Sequence, residues 1–135
     1  MKKLIYLLVI LLIAASSVYY YSFIYAKTHH RNPQVEDSIL ISADSLTAAY
    51  QKNEQTANTK YLNKALEVTG NILSINNDQA GHTTLLIGKA DAFSNVAVTL
   101  ISTQPISQKV GELVTVKGVC TGNLSDVVIN EGVIK

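Results

Sequence analysis

The spacing of the apolar residues changes once along this chain, near Tyr61, and this change restricts the possible folds more than any other feature. Before Tyr61, one helical face carries Leu46, Ala49, Tyr50, Asn53 and Ala57. After it, apolar and polar residues alternate with a period of two, which is typical of half-buried strands. The sequence therefore predicts an amphipathic helix that leads, with almost no loop, into an all-β domain.

The helix is predicted over residues 43–59. Ser42 precedes it and can cap its free N–H groups, and Asp44 in the first turn suits the positive end of the helix dipole. Ile41 and Leu46 have the spacing of a hydrophobic staple. Because the apolar face must pack on something, we expect the helix to act as a plug or lid on the β domain.

Segments rich in β-branched residues follow the helix and are separated by turn residues. They predict five strands, over residues 64–75, 82–88, 95–102, 113–121 and 125–134. Short strands joined by turns indicate a small closed barrel. Gly70 and Gly118 lie inside strands, where a tightly coiled barrel has a bulge or a bend.

The N-terminal part of the chain is of a different kind. From Leu4 to Ala26 it has 23 residues without a charge, which as a helix would be roughly 34 Å long, enough for a hydrocarbon core of about 30 Å. A cleaved signal peptide is the alternative, because the small residues at 14–17 within this run offer a possible cleavage site. We favour an uncleaved anchor because the apolar run continues past them into clustered tyrosines. Residues 1–26 are thus predicted as a transmembrane anchor, 27–41 as a linker and 42–135 as the folded domain.

The basic residues on either side of this run predict its orientation. Lys2 and Lys3 precede it, and Lys27 and Arg31 follow it. The positive-inside rule then favours a single-pass protein of the inner (cytoplasmic) membrane, with the folded domain outside the cytoplasm. After signal cleavage the protein would instead be secreted or periplasmic.

Two segments carry a family resemblance. SADSLTAAYQKNEQTANTKYLNKALEVTGNILSI, residues 42–75, and KVGELVTVKGVCTGNLSDVVI, residues 109–129, resemble the tRNA_anti-like OB-fold proteins, small envelope proteins of bacteria. The shared pattern includes Tyr50, Asn53, Tyr61, Val68-x-Gly70 and Cys120-Thr121-Gly122. The resemblance covers about residues 42–134. It implies a mainly β fold, a five-stranded OB-fold barrel preceded by one α-helix, and it marks no active site.

The chain departs from this family at one cysteine position. Relatives often carry a second Cys near the position of Gly132, which could pair with the counterpart of Cys120. Because Gly132 stands there, the resemblance implies no disulfide in this chain. We therefore interpret Cys120 as a small buried apolar residue.

Asn53 and Tyr61 are the candidate ligand-binding residues. Asn53 lies in the middle of the helical face, where its amide either satisfies a backbone group of the sheet or contacts a ligand. Tyr61, at the end of that face, is either a packing residue or a stacking platform. Phe93 is likewise as suited to filling the barrel as to stacking on a base.

Charge and composition argue against several classes of function. From Lys60 onward there are six lysines and six acidic residues, so the basic excess of a nucleic-acid binder is absent and nucleic acid is an unlikely partner. His82 is the one candidate base in the domain. His29 and His30 are adjacent in the linker without a further ligand cluster, and they indicate no metal site.

We therefore predict a non-enzymatic binding module with no cofactor, attached to the membrane through its N-terminal helix. The expected ligand is a protein partner or another component of the envelope. The alternative is an OB-fold protein that binds single-stranded nucleic acid or an oligosaccharide.

Overall fold

The structure is a computed structural model that describes residues 2–25, 35–102 and 106–135. The chain divides into two units, residues 1–32 and 33–135. In the first unit, helix α1 spans Lys2–Tyr19 and a π-helical segment follows over Tyr20–Tyr25. Most of the predicted linker, and with it His29 and His30, lies outside the described residues.

The predicted transmembrane helix from Leu4 to Ala26 is not confirmed. Within the described part of the chain, no helix combines the length and the apolar character needed to cross a membrane. Ala26 itself lies outside the described residues.

The second unit contains two short helices and six described strands. Along the chain they are β1 Ile39–Ser42, α2 Ala43–Lys52, α3 Glu54–Tyr61, β2 Ala65–Asn77, β3 Thr83–Gly88, β4 Val96–Leu100, β5 Leu113–Asn123 and β6 Val127–Ile134.

Five of these strands close into a barrel. The order is β2–β3–β4–β6–β5, and β5 pairs again with β2. All neighbours are antiparallel except β4 and β6, which are parallel. Closure gives each of these strands a hydrogen-bonded neighbour on both sides. The predicted five-stranded barrel is confirmed.

Strand β1 was not predicted, because residues 39–41 fall within the predicted linker. It runs parallel to β2, from the pair Ile39–Leu66 to the pair Ser42–Thr69. Four residues directly before a helix are too short to show an alternating pattern, and a parallel pairing leaves no hairpin turn in the sequence. Pairing with β2 therefore makes residues 39–42 a strand, although their own sequence does not predict one.

Gly70 and Gly118 lie at the bends of the barrel. The β1 pairing of β2 ends at Thr69 and the β3 pairing begins at Asn71, so Gly70 lies where β2 changes partners. A Cβ atom there would be 2.6 Å from Cγ2 of Ile87. Gly118 lies at a register shift between β5 and β6, which is the predicted bulge.

The single helix predicted over residues 43–59 is two helices. Ser42 caps α2 as predicted, with its Oγ accepting from the N–H of Ser45 at 3.2 Å. At Asn53 the backbone is extended, with φ −163° and ψ 103°, so the first helix ends and the second begins. An amide at the helix centre favours such a break, because it competes for backbone hydrogen bonds.

Both helices pack on the barrel and share its core. Tyr50 and Leu46 of α2 join Ala57 and Tyr61 of α3 in one cluster with the inward-facing strand residues. These strand residues are Leu66, Val68, Ile72, Leu85, Ile87, Val96, Val98, Leu100, Val114, Val116, Cys120, Val127 and Ile129. The helical pair therefore covers the barrel as the lid that the sequence predicts.

Candidate ligand-binding groove

The two predicted ligand-binding residues do not share one surface. Tyr61 is only 5% exposed, and its ring centre lies 6.4 Å from that of Tyr50 inside the core. Asn53 is exposed, and its Oδ1 accepts a hydrogen bond from the N–H of Thr56 at 2.9 Å. Its amide thus caps α3 rather than satisfying a backbone group of the sheet.

Cys120 is a free and fully buried thiol, the environment that the sequence predicts for it. Its Sγ lies 3.4 Å from Oη of Tyr50. The pKa of Tyr50 is raised well above its usual range. Burial is the larger cause, and the hydrogen bond with Cys120 is the second. At Gly132 a Cβ atom would be 2.5 Å from Cγ1 of Val98, so this packing has no room for a second cysteine there.

His82 has a local role in the β2–β3 hairpin. Its backbone N–H donates to Oδ1 of Asp78 at 2.8 Å, and its Nδ1 lies 3.3 Å from Oδ2 of the same carboxylate. The backbone hydrogen bond is the main cause that lowers the pKa of Asp78. Among the described residues, no three His, Cys, Asp or Glu side chains are grouped so that they could hold a metal ion.

A groove of about 520 Å³ lies beside α2, where the β3–β4 loop meets the β5–β6 turn. It is lined by Gln51, Phe93, Ser94, Asn123, Leu124 and Ser125. Phe93 is 97% exposed and Leu124 is 86% exposed. The groove has the size of a small-molecule site, about 300–1,000 Å³. Two large apolar side chains beside such a groove are available for contact with a ligand.

Hydrogen bonds hold the two sides of this groove together. The N–H of Asn95 donates to Oδ1 of Asp126 at 2.7 Å, and the N–H of Val127 donates to the carbonyl of Asn95 at 2.9 Å. Ser94, between Phe93 and Asn95, is buried. The loop that carries Phe93 is therefore fixed to the turn that carries Leu124, so both exposed side chains stand on a held backbone.

The polar lining of the groove carries no charge. Gln51 and Asn123 contribute amides, and Ser94 and Ser125 contribute hydroxyls. The Oδ1 atom of Asn123 is buried and has no hydrogen-bond partner. A buried acceptor without a partner costs the folded protein free energy.

The groove was missed in the sequence analysis, although one of its residues was considered. Phe93 was interpreted either as barrel filling or as a stacking residue, and the structure places it outside the barrel. The available signal was its position in a polar loop, where no alternating pattern directs it inward. Asn123 and Leu124 gave no such signal, because they lie at the end of β5 and in the short turn that follows it.

A smaller cleft of about 240 Å³ lies at the start of α2, near Gly70 and Leu113. The Nζ of Lys89 is 2.8 Å from Oδ2 of Asp44 there, and this pairing raises the pKa of Lys89. The only cation that lines this cleft is thus already bound to a carboxylate, which makes it a poor anion site.

Comparisons with known proteins identify the family and the fold. The sequence model of the tRNA_anti-like family matches residues 1–132. Among solved structures, the chain is similar to a protein described as a candidate nucleic acid-binding lipoprotein from Klebsiella pneumoniae subsp. pneumoniae MGH 78578. The TM-score is 0.60 and the identity 12%, over 79% of this chain and 99% of that one. At this identity the likeness shows the fold alone. No curated protein matches the chain.

Proposed function

This chain belongs to the tRNA_anti-like family, and on that premise we propose that it is a non-enzymatic OB-fold binding module of the bacterial envelope. The observation that carries the proposal is the groove beside α2, where Phe93 and Leu124 stand almost fully exposed on a hydrogen-bonded frame. Exposed apolar side chains grouped beside a polar cavity are characteristic of a binding surface. The ligand is a component of the envelope or a protein partner.

The envelope location rests on the N-terminal sequence. The run from Leu4 to Ala26 has no charge, and the apolar side chains described along α1 are exposed, among them Ile10, Leu11 and Ile13. A helix that is apolar on all sides needs an apolar environment. We propose that it attaches the protein to the cytoplasmic membrane, with the barrel outside the cytoplasm. Release after signal cleavage is the alternative.

The absence of an enzymatic activity is also part of the proposal. No side chain that lines the groove titrates near neutral pH. General acid–base catalysis requires such a group within hydrogen-bond reach of the substrate. Amides and hydroxyls without a base can hold a ligand but have no means to activate a nucleophile.

Single-stranded nucleic acid is the second candidate ligand. The Klebsiella protein is described as a candidate nucleic acid-binding protein, and an exposed phenylalanine such as Phe93 can stack on a base. Against this, none of the described residues that line the groove is a lysine or arginine. Phosphates bind poorly where cations are missing.

Binding of the full chain, kept in detergent, to cell envelopes from which the lipids have been extracted tests the role of the groove, because the N-terminal helix then has no membrane to enter. We expect the double variant Phe93→Ala/Leu124→Ala to lose most of the binding measured by co-sedimentation. Val110→Ala is the matched control, because Val110 is also exposed and apolar but does not line the groove. Equal binding by all three proteins would contradict the proposal.

The location needs a separate test. In a Cys120→Ser background, Asn32→Cys places one thiol in the linker, and intact cells are treated with a membrane-impermeant maleimide. Labelling before the inner membrane is lysed is expected if the barrel is outside the cytoplasm. Protection until lysis would show that the barrel lies in the cytoplasm, the reverse of the proposed orientation. Comparing membrane and soluble fractions reports whether the N-terminal segment is cleaved.

A further inference from the structure

We propose that the groove beside α2 binds an uncharged glycan chain. This inference rests on the proposed function, because it names the chemical class of the ligand at the same site. Three properties of the groove support it, namely its exposed aromatic ring, its uncharged hydrogen-bonding groups and the lack of lysine and arginine among the described residues that line it.

The exposed ring fits the apolar face of a sugar. Phe93 is 97% exposed, so a flat ligand can lie against its ring. One face of a pyranose presents C–H groups with partial positive charge, and the face of an aromatic ring is the negative part of its quadrupole. Leu124, beside the same groove, adds apolar surface that the ligand can bury.

The uncharged polar groups fit the other parts of a sugar. Hydroxyl and acetamido groups both donate and accept hydrogen bonds, and so do the side chains of Gln51, Ser94, Asn123 and Ser125. Asn123, at the end of β5, and Gln51, on α2, are the two amides of this lining. The hydroxyl and acetamido groups of a sugar can pair with these amides and hydroxyls without introducing a charge.

The surroundings of the groove disfavour the other classes of ligand. None of the described residues that line it is a lysine or arginine, which argues against nucleic acid, because phosphates bind poorly where cations are missing. A peptide bound by strand addition needs a free strand edge. Among the described residues, Asn123 is the only strand residue in the lining, and one strand residue is too short an edge for a peptide strand to pair with.

The test is calorimetric titration of the full chain with the β-1,4-linked tetramer of N-acetylglucosamine, in a detergent without a sugar head group. We expect a Kd at or below about 1 mM. Phe93→Ala should weaken binding about tenfold or more, since stacking on an aromatic ring is a major contribution. The control Val110→Ala should bind as the wild type does.

Asn123→Ala separates a ligand contact from a structural role. The substitution removes an acceptor that has no partner in the protein, so the melting temperature should stay the same or rise while tetramer binding falls. A loss of binding that follows a loss of folding would overturn the assignment of Asn123. Unchanged tetramer affinity in both groove variants would place the glycan elsewhere and overturn the proposal.

The remaining outcomes separate this inference from the proposed function. If the tetramer does not bind at about 10 mM while envelope binding still depends on Phe93, the glycan assignment is wrong. The groove then remains the binding site of the proposed function, with a ligand of another class. If envelope binding does not depend on Phe93 either, both are wrong. Binding of an oligothymidine that falls steeply between about 50 and 200 mM salt, and that Phe93→Ala abolishes, would assign the groove to nucleic acid instead.

Discussion

Oη of Tyr50 lies 3.4 Å from Sγ of Cys120, and both side chains are buried. Tyr50 belongs to α2 and Cys120 to β5, 70 residues further along the chain. This contact joins the helical lid to the wall of the barrel. It also places an ionisable phenol in a core where its charged form is disfavoured.

Ionisation of the Tyr50 phenol should therefore lower the stability of the protein at alkaline pH. Its native pKa is raised above the unfolded value of about 10. Below about pH 10 the phenol is protonated in both states, and its contribution is fully present. Above it the unfolded state loses the proton first, so the free energy of unfolding decreases by up to about 1.4 kcal/mol per pH unit.

Urea unfolding of the full chain at about pH 8 and about pH 11, with wild type and Tyr50→Phe, measures this effect. The phenylalanine variant should lose less stability over the interval, because it has no phenol to ionise. At the lower pH it should be less stable by about 0.5–1.5 kcal/mol if the bond to Cys120 contributes as an ordinary hydrogen bond. A parallel decline of both proteins would contradict the prediction.

Asn53→Ala should destabilise the protein through loss of the α3 cap. The side chain accepts the hydrogen bond from the N–H of Thr56, and removing such a cap costs about 0.5–2 kcal/mol. Asn53→Asp keeps the acceptor and should cost little. Chemical denaturation of the three proteins checks this ranking. If both variants were equally destabilised, the cap would not be the reason for the loss.

Gly70→Ala should destabilise the barrel because its Cβ has no space. That atom would be 2.6 Å from Cγ2 of Ile87 and 3.0 Å from Cβ of Ala43. Overpacking of this kind costs about 1–3 kcal/mol. The adjacent and exposed Asn71→Ala is the control, for which a change within about 0.5 kcal/mol is expected. Unfolding midpoints that coincide for both variants would show that the bend can relax.

Cys120 should be protected from thiol reagents in the native protein. Its side chain is fully buried, so a maleimide can reach it only after unfolding, and labelling should follow the denaturation curve. A Cys120→Ala/Asn76→Cys variant carries the thiol at an exposed position and should react at once. Rapid labelling of the wild-type thiol under native conditions would show that the lid opens readily.

Sequence and structure agree best where a long segment has one clear period. The strands of the barrel alternate over enough residues to be recognised, and the cap at Ser42 is a local signal that the structure confirms. The helix break at Asn53 was missed because the spacing of the apolar residues over 43–59 also fits one continuous helix. Deciding between one helix and two depends on how Ala57 and Tyr61 reach the core.

The sequence by itself determined that a helical segment precedes five strands, that these strands close into a barrel, and which family the chain resembles, because periodicity, turn residues and motif spacing are properties of neighbouring residues. Only the tertiary structure decided that β1 pairs with β2 and that Phe93 and Leu124 flank one groove. Both depend on segments that are distant in the chain and meet only when the barrel closes. Short segments such as these have no pattern of their own, so their partners determine their positions.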